Sequence, residues 1–284
     1  MSDSILNAVS FDVEEFFQVA NLRGHFSKES WDETPSRLDI GMQSILQCLE
    51  RNNTHATFFF LGWIAERRPD VVRACLDAGH EVASHGYDHD YLWDLGPEGL
   101  EKDLRLTEEA LVAAGAPKPI GFRASTFTLT RDTWWAFDIL AERGYRYDSS
   151  VHPVRHPVYG VPNFEPGIST VTTDKGDIVE FPVSTLQFLG RNWPVGGGGY
   201  FRLLPGPVTN SAVASIMRKG RPASIYLHPW EFDPEQPRYP APLLKRFRHY
   251  LNLDRTMPRL EAMIRRARFG SMREVLEEQG HRFD

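Results

Sequence analysis

Apolar and polar positions along this chain follow two periods, short runs of β-forming residues and longer stretches with helical spacing. Ile5 to Val13 alternates loosely and ends in Asp12-Val13-Glu14-Glu15, which predicts a first strand. Thr34-Pro35-Ser36 opens a helix with apolar positions at Ile40, Ile45, Leu46 and Leu49, and Arg51-Asn52-Asn53 closes it. Ala56 to Leu61 is a continuous apolar run of strand length, as a strand buried on both faces requires. A second amphipathic helix is expected over Ile64 to Ala78 with Gly79 as its stop, then a short strand at Glu81-Val82-Ala83. Pro97 to Ala114 reads as a third helix and Ile120 to Arg123 as a fourth strand. Arg131 to Arg143 reads as a helix halted by Gly144, before the strand-like Tyr145 to Asp148.

From Val151 to Gly206 proline and glycine multiply and the rhythm breaks. Ile168 to Thr173 and Asp177 to Val183 predict a hairpin there, turned at Lys175-Gly176. Order returns with a helix over Pro207 to Lys219 and a strand over Ala223 to Leu227. Beyond Pro229 the chain is basic and proline-punctuated, helical near Pro258 to Ala267 and Met272 to Glu278. Strand then helix at intervals of roughly 25 to 35 residues is the mark of parallel βα units, and without a sequence repeat it predicts an α/β barrel or open sheet. No linker marks a second domain, so one domain over 1–284 is expected, with 230–284 as a C-terminal extension.

Composition narrows the class. The 284 residues are 41% hydrophobic and 25% charged, an ordinary globular balance, and the net charge of −6 leaves no nucleic-acid footprint. Met1 to Asn7 lacks a basic start and a long apolar core, and no apolar run reaches membrane-spanning length, so a cytoplasmic protein is expected. Cys48 and Cys75 fall on separate helix-like stretches and read as buried reduced thiols, not a disulfide framework. Seven Trp and 12% aromatics suit a sugar-binding surface or a large core equally.

Candidate chemistry collects where strands end, because in parallel βα folds those ends open on one face. Asp12, Glu14, His85, His89, Arg123, Asp148 and His228 all sit there. His85 and His89 are four positions apart and can converge on one divalent ion, zinc by default for imidazole ligands. Asp12 and Glu14 lie on the same side of an extended chain, so one carboxylate could complete the metal set while the other stays free as a base. Taken singly, each has a plainer reading: solvated strand-end acids, loop histidines, a structural ion pair at Arg123, a satisfied core histidine at position 228.

Several motifs in order are more specific. Phe11-Asp12-Val13-Glu14, His85-Gly86-Tyr87-Asp88-His89, Arg123-Ala124-Ser125-Thr126-Phe127, Tyr147 to Ser150, Gly198 to Arg202 and Leu227-His228-Pro229-Trp230-Glu231 together resemble the polysaccharide deacetylases of carbohydrate esterase family 4, with the NodB-homology fold. The nearest likeness is to a subgroup found in exopolysaccharide loci beside exosortase systems. The resemblance implies a distorted (β/α) barrel of about seven parallel strands. It implies Asp12 as general base, Glu14, His85 and His89 as metal ligands, Arg123 pairing with Asp12, and His228 as general acid. A backbone N–H near Thr126 would join the metal at the oxyanion, and Asp148 would orient His228. The family pattern has two adjacent aspartates in its first motif, whereas here the second acid is Glu14, one residue further on.

For substrate contact, Phe127 belongs to the third motif, Tyr200, Trp193 and Trp230 could stack on sugar rings or pack internally, and Arg202 could bind an anionic group. Arg155 and His156 could touch substrate. The run Gly196 to Gly199 is not followed by a helix start or P-loop lysine, so it reads as a sharp turn or a close backbone approach to a ligand. His55, His80, His249 and His281 read as turn or polar-face residues. The leading function is a metal-dependent N-deacetylase acting on an N-acetylated sugar. Its alternatives are a related C–N hydrolase, either a deformylase or a metal-independent allantoinase-like amidohydrolase, and a carbohydrate-binding module. Oligomeric state leaves no trace in the sequence.

Overall fold

Strands come first, because their ends place the site. The computed structural model describes residues 5–156 and 158–283, so the opening Met1–Asn7 stretch lies partly outside the described residues. The strands are β1 (Asn7–Val13), β2 (Thr57–Phe60), β3 (Glu81–Ser84), β4 (Gly121–Phe122), β5 (Tyr147–Asp148), β6 (Ser169–Thr173), β7 (Gly176–Glu180), β8 (Thr185–Phe188), β9 (Arg191–Pro194), β10 (Ser224–Leu227) and β11 (Phe269–Gly270). The main sheet runs β10-β1-β2-β3-β4-β5-β7-β6, parallel throughout except for the antiparallel β6–β7 hairpin, and β11 pairs with the start of β1. Among the described residues, seven strands from β10 to β7 therefore form one parallel run.

The gap between its ends is bridged by irregular chain. Ser184 N–H donates to the Ser224 carbonyl at 3.2 Å and Tyr226 N–H to the Gly196 carbonyl at 2.8 Å. The β8–β9 hairpin projects from this bridge. Strands β1 and β2 are buried on every residue, as their apolar runs require, and Phe11, Phe58 and Phe60 lie at the centre of the largest core cluster. This is the expected α/β barrel with a helical C-terminal part.

Helices cover the outside: α1 (Leu38–Arg51), α2 (Gly62–Arg67), α3 (Pro69–Asp77), α4 (Leu92–Ala113), α5 (Ala136–Glu142), α6 (Gly198–Leu203), α7 (Gly206–Arg218), α8 (Leu243–Tyr250), α9 (Thr256–Ile264) and α10 (Met272–Glu278). The single helix expected over 64–78 is two. Pro69 drives Arg68 out of the helical region to φ −129°, ψ 56° and then serves as the first residue of α3. Ile40, expected on the inner face of α1, is 41% exposed, and Leu38, Met42, Ile45 and Leu49 form the buried stripe instead. The Glu15 carboxylate sets that phase by accepting the N–H groups of Arg37 and Leu38 at 3.2 and 3.3 Å, starting the helix later than Thr34. Helix α8, the β8–β9 hairpin and β11 had no signal in the periodicity.

A helix does begin within the glycine run, at Gly198. The close approach there is to the chain's own residues. A Cβ at Gly196 would meet the Ser224 carbonyl oxygen at 2.5 Å, one at Gly197 the Tyr226 ring at 2.7 Å, and one at Gly198 the Glu231 carboxylate at 2.0 Å.

Candidate active site

Alternation along β1 sends Asp12 and Glu14 to the same side of its end, and both are buried. Arg123, fully buried beyond β4, reaches Asp12 Oδ1 with Nη1 at 2.5 Å. Its remaining donors go to Ser10 Oγ at 2.9 Å, the Ser149 carbonyl at 3.1 Å, Ser149 Oγ at 3.0 Å and, weakly, Met272 Sδ at 4.0 Å. A guanidinium with every edge occupied holds the carboxylate in one orientation.

The chain leaves β3 in a loop and not a helix. Gly86 takes φ 76° and His89 φ 58°, and Asp103 Oδ2 accepts Tyr87 N–H at 2.9 Å, pinning the turn between the two histidines. The rings of His85 and His89 lie 5.3 Å apart. His85 Nδ1 faces the Arg123 carbonyl at 2.8 Å; a carbonyl only accepts, so Nδ1 carries the hydrogen and Nε2 presents its lone pair to the site. His89 Nε2 lies 3.0 Å from Glu14 Oε2, yet that oxygen has no partner in hydrogen-bond geometry. Donor atoms of Glu14, His85 and His89 all fall within 4.8 Å of one another. An orphaned buried carboxylate oxygen facing two imidazole nitrogens is the donor set of a divalent metal, so the residues fit such an ion.

His228 follows β10, the strand paired directly with β1. Its Nδ1 is 2.6 Å from Glu231 Oε1, and its Nε2 points inward, 3.5 Å from Glu14 Oε1 and 3.9 Å from Asp12 Oδ2. Glu231 also accepts the His228 backbone N–H at 3.0 Å and Arg202 Nε at 2.5 Å. Trp230 stacks on His228 at 5.2 Å and on His249 at 4.4 Å, and its Nε1–H donates to Glu14 Oε1 at 3.2 Å. Burial alone would lower the His228 pKa, but the carboxylates of Glu14, Glu231 and Asp12 reverse this and hold it at about 9. Burial pushes Glu14 up, and the charges of His89 and His228 overcome it to leave about 2. Burial takes His85 down to about 4, the neutral state a ligand needs.

The cavity over these groups has a volume of about 410 Å³, and Thr126, Phe127, Tyr200 and Tyr226 line it. Thr126 and Phe127 both take left-handed backbone, φ 54° and 55°, beside the site. Half-buried Tyr200 also faces it, and so does His156, stacked on Tyr159 at 3.8 Å, while Arg155 is exposed.

Three expected roles meet a different arrangement. Asp148 does not touch His228; its carboxylate binds the Ser150 hydroxyl at 2.5 Å and N–H at 2.8 Å, and Glu231 occupies the orienting position instead. Arg202 is buried against Glu231 and donates to the carbonyls of Arg248, His249 and Leu251, so its charge faces the protein and not a substrate anion. Trp230 is 8% exposed and sandwiched between imidazoles, which leaves no open face for a sugar. His249, expected on a polar face, is fully buried with Nε2 2.8 Å from Gln236 Oε1, and His80 is also buried. Glu231 was within reach of sequence reasoning: three residues after His228 with Pro229 between, it has capping-box spacing, and the capping box forms.

The chain is similar to several known proteins over parts of its length. Residues 30–147 match the family model described as polysaccharide deacetylase, and residues 149–277 match a domain of unknown function, DUF3473. A peptidoglycan deacetylase of Helicobacter pylori is 26% identical over 160 residues, covering 53% of this chain and 51% of that protein, so the chain spans about half the length of this relative. Among solved structures, Puue allantoinase superposes with TM-score 0.65 at 15% identity, covering 100% of this chain and 93% of its own. A family 4 carbohydrate esterase from Streptomyces lividans, in complex with acetate, superposes with TM-score 0.51 at 19% identity, covering 94% and 92%. The family model and the curated relatives carry a likeness to polysaccharide deacetylases over part of the chain, and the solved structures share its (β/α) barrel fold. The two matched segments share one sheet: the first holds β2 to β4 and the second supplies β7, β10 and His228, while β1 with Asp12 precedes both.

Proposed function

We propose that this chain is a metal-dependent N-deacetylase of amino sugars, a single NodB-like domain acting on an N-acetylated polysaccharide or its precursor. The observation that carries the reading is the convergence of a clamped carboxylate (Asp12), a buried Glu-His-His donor set and an oriented imidazole (His228) on one cavity. Relatives named as peptidoglycan and chitooligosaccharide deacetylases support the substrate class. A divalent ion held by Glu14, His85 and His89, zinc by its ligand types, would polarise the amide carbonyl and make water nucleophilic near neutral pH.

The chain's own groups account for the protons. Asp12, aimed by Arg123, accepts a proton from the attacking water as its oxygen bonds to the acetyl carbon. His228 in its protonated form, at the neighbouring strand end, gives its Nε2 proton to the sugar nitrogen as the C–N bond breaks, leaving free amine and acetate. A backbone N–H at the left-handed turn of Thr126, which lines the cavity, would serve the developing oxyanion. Glu231 and Arg202 keep the His228 ring oriented throughout. In an exopolysaccharide pathway the substrate would be a cytoplasmic lipid-linked or nucleotide-linked precursor.

The allantoinase-like alternative uses the same barrel without a metal. The orphaned Glu14 Oε2 facing the imidazoles disfavours it, since a metal-free site leaves that one oxygen without a hydrogen-bond partner. Acetate release from N-acetylglucosamine oligomers by zinc-loaded protein, lost on chelation, is the expected result. Full activity of metal-free protein, or no release from any acetylated sugar, would overturn the proposal.

A further inference from the structure

The cavity mouth carries apolar surface that neither the core nor the hydrolysis uses. On α8, His249 and Tyr250 are buried while Leu243, Leu244 and Phe247 are 85%, 61% and 53% exposed. Positions i, i+1 and i+4 share a helix face, so these three form one outward stripe. Lys245, Arg246 and Arg248 flank it, all exposed and without an acidic partner among the described residues. Phe247, Lys245 and Arg248 line the same cavity as Glu14, His85 and His89, which places the stripe at the entrance.

A second exposed apolar element is anchored to a segment of the cavity rim. The tip of the β8–β9 hairpin carries Phe188 at 59% and Leu189 at 84% exposure. Leu189 takes φ 51°, a backbone that asparagine or glycine adopts at less cost, so folding gives no reason for leucine there. Asn192 Nδ2 donates to the Pro153 carbonyl at 2.9 Å, seating the hairpin against the segment that carries His156 and Val158 at the cavity rim.

Charge decides between partners. The whole chain is net −6, yet no Asp or Glu occurs from Phe181 to Trp230 or from Gln236 to Leu253, the stretches that carry the hairpin and α8. Aliphatic leucines do not stack on sugar rings, and they add nothing to binding a hydrophilic polyanion. Leucine and phenylalanine flanked by Lys and Arg suit the boundary of an anionic bilayer, where acyl chains take the apolar groups and headgroups take the cations. We propose that α8 and the hairpin tip seat the cavity mouth on an anionic phospholipid surface. If the site is a deacetylase, as proposed above, this orientation selects amino sugars presented from a lipid anchor.

The test is co-sedimentation of the full chain with vesicles of phosphatidylcholine alone or mixed equally with phosphatidylglycerol. Binding to the anionic vesicles is expected, weakened about tenfold or more by Leu243→Ser/Leu244→Ser and by Arg246→Glu, and reduced by high salt. None of these residues lines the cavity, so acetate release from a soluble oligomer should stay at the wild-type rate, which separates failure of docking from failure of the deacetylase reading. Equal binding to neutral and anionic vesicles, or no change on removing the leucines, overturns the proposal. Absence of vesicle binding together with a dimer that the leucine substitutions dissociate also overturns it, and assigns the face to a second copy of the chain.

Discussion

Arg202 and Glu231 form an ion pair, Nε to Oε2 at 2.5 Å, with both side chains sealed from solvent directly behind His228. Glu231 is thereby held by a charge on one side while its other oxygen receives both the ring and the backbone N–H of His228. The ionised state follows from the balance: burial pushes the Glu231 pKa up, and Arg202 and His228 bring it below the usual carboxylate range. A fixed anion behind an imidazole sets its tautomer and its ring plane.

Glu231→Gln removes that anion while keeping the shape. kcat is expected to fall by roughly ten- to a thousandfold with little change in KM, since the substitution acts on proton delivery and not on substrate contact. Steady-state kinetics on an acetylated oligomer would measure it; a change confined to KM would contradict a positioning role. Arg202→Met strands a buried carboxylate and should cost about 3–5 kcal/mol in denaturant unfolding.

Gly198 faces the same carboxylate. A methyl group at Gly198 would lie 2.0 Å from Glu231 Oε1, whereas one at Gly199 meets nothing within 4 Å. Gly198→Ala should therefore lose activity and about 1–3 kcal/mol of stability, while Gly199→Ala stays within about 0.5 kcal/mol of wild type. Equal behaviour of the two variants would contradict this packing.

Removing one imidazole should break the metal set. His85→Ala or His89→Ala is expected to lose stoichiometric metal in elemental analysis, and chelated wild-type protein should regain activity on adding zinc or cobalt. Asp12→Asn should retain the metal yet lower kcat by roughly a hundred- to ten-thousandfold, because it removes the base and leaves the donor atoms in place. Loss of metal from Asp12→Asn would move Asp12 into the ligand set.

A buried carboxyl pair makes stability depend on pH. Asp148 and Glu180 are both fully buried, and burial pushes both pKa values up, Glu180 well above the usual carboxylate range because the neighbouring Asp148 charge adds to desolvation. Glu180 Oε2 lacks a donor, which a proton shared with Asp148 supplies. A carboxyl whose folded pKa is raised contributes stability below its unfolded pKa and loses it as pH rises through the folded value. Tm should fall as pH climbs from the ordinary carboxylate range through that raised value. Glu180→Gln, which can donate to Asp148 and still accept Val151 N–H, should flatten the decline. An unchanged slope would show that the pair does not titrate in that window.

Much of the barrel was legible because its central strands β1 and β2 are short apolar runs, and a run buried on both faces tolerates little else. The strand-end positions of Asp12, Glu14, His85, His89, Arg123 and His228 were legible for the same reason, since parallel strands all deliver their ends to one face. Helix starts were less so. The phase of α1 depends on Glu15, a residue outside the helix whose carboxylate caps it, and no local period records such a partner.

The roles of individual polar residues divide along the same line. Residue type and strand position alone determined that two histidines, two acids and an arginine would meet at the end of a parallel sheet. Only the tertiary structure decided that Glu231 and not Asp148 lies behind His228, that Arg202 spends its charge on that glutamate, and that the glycine run admits a carboxylate and not a ligand. The physical reason is range. Periodicity is set by neighbours along the chain, whereas a buried charge must be matched by whichever opposite charge the fold brings within about 3 Å, and that partner can come from anywhere in the sequence.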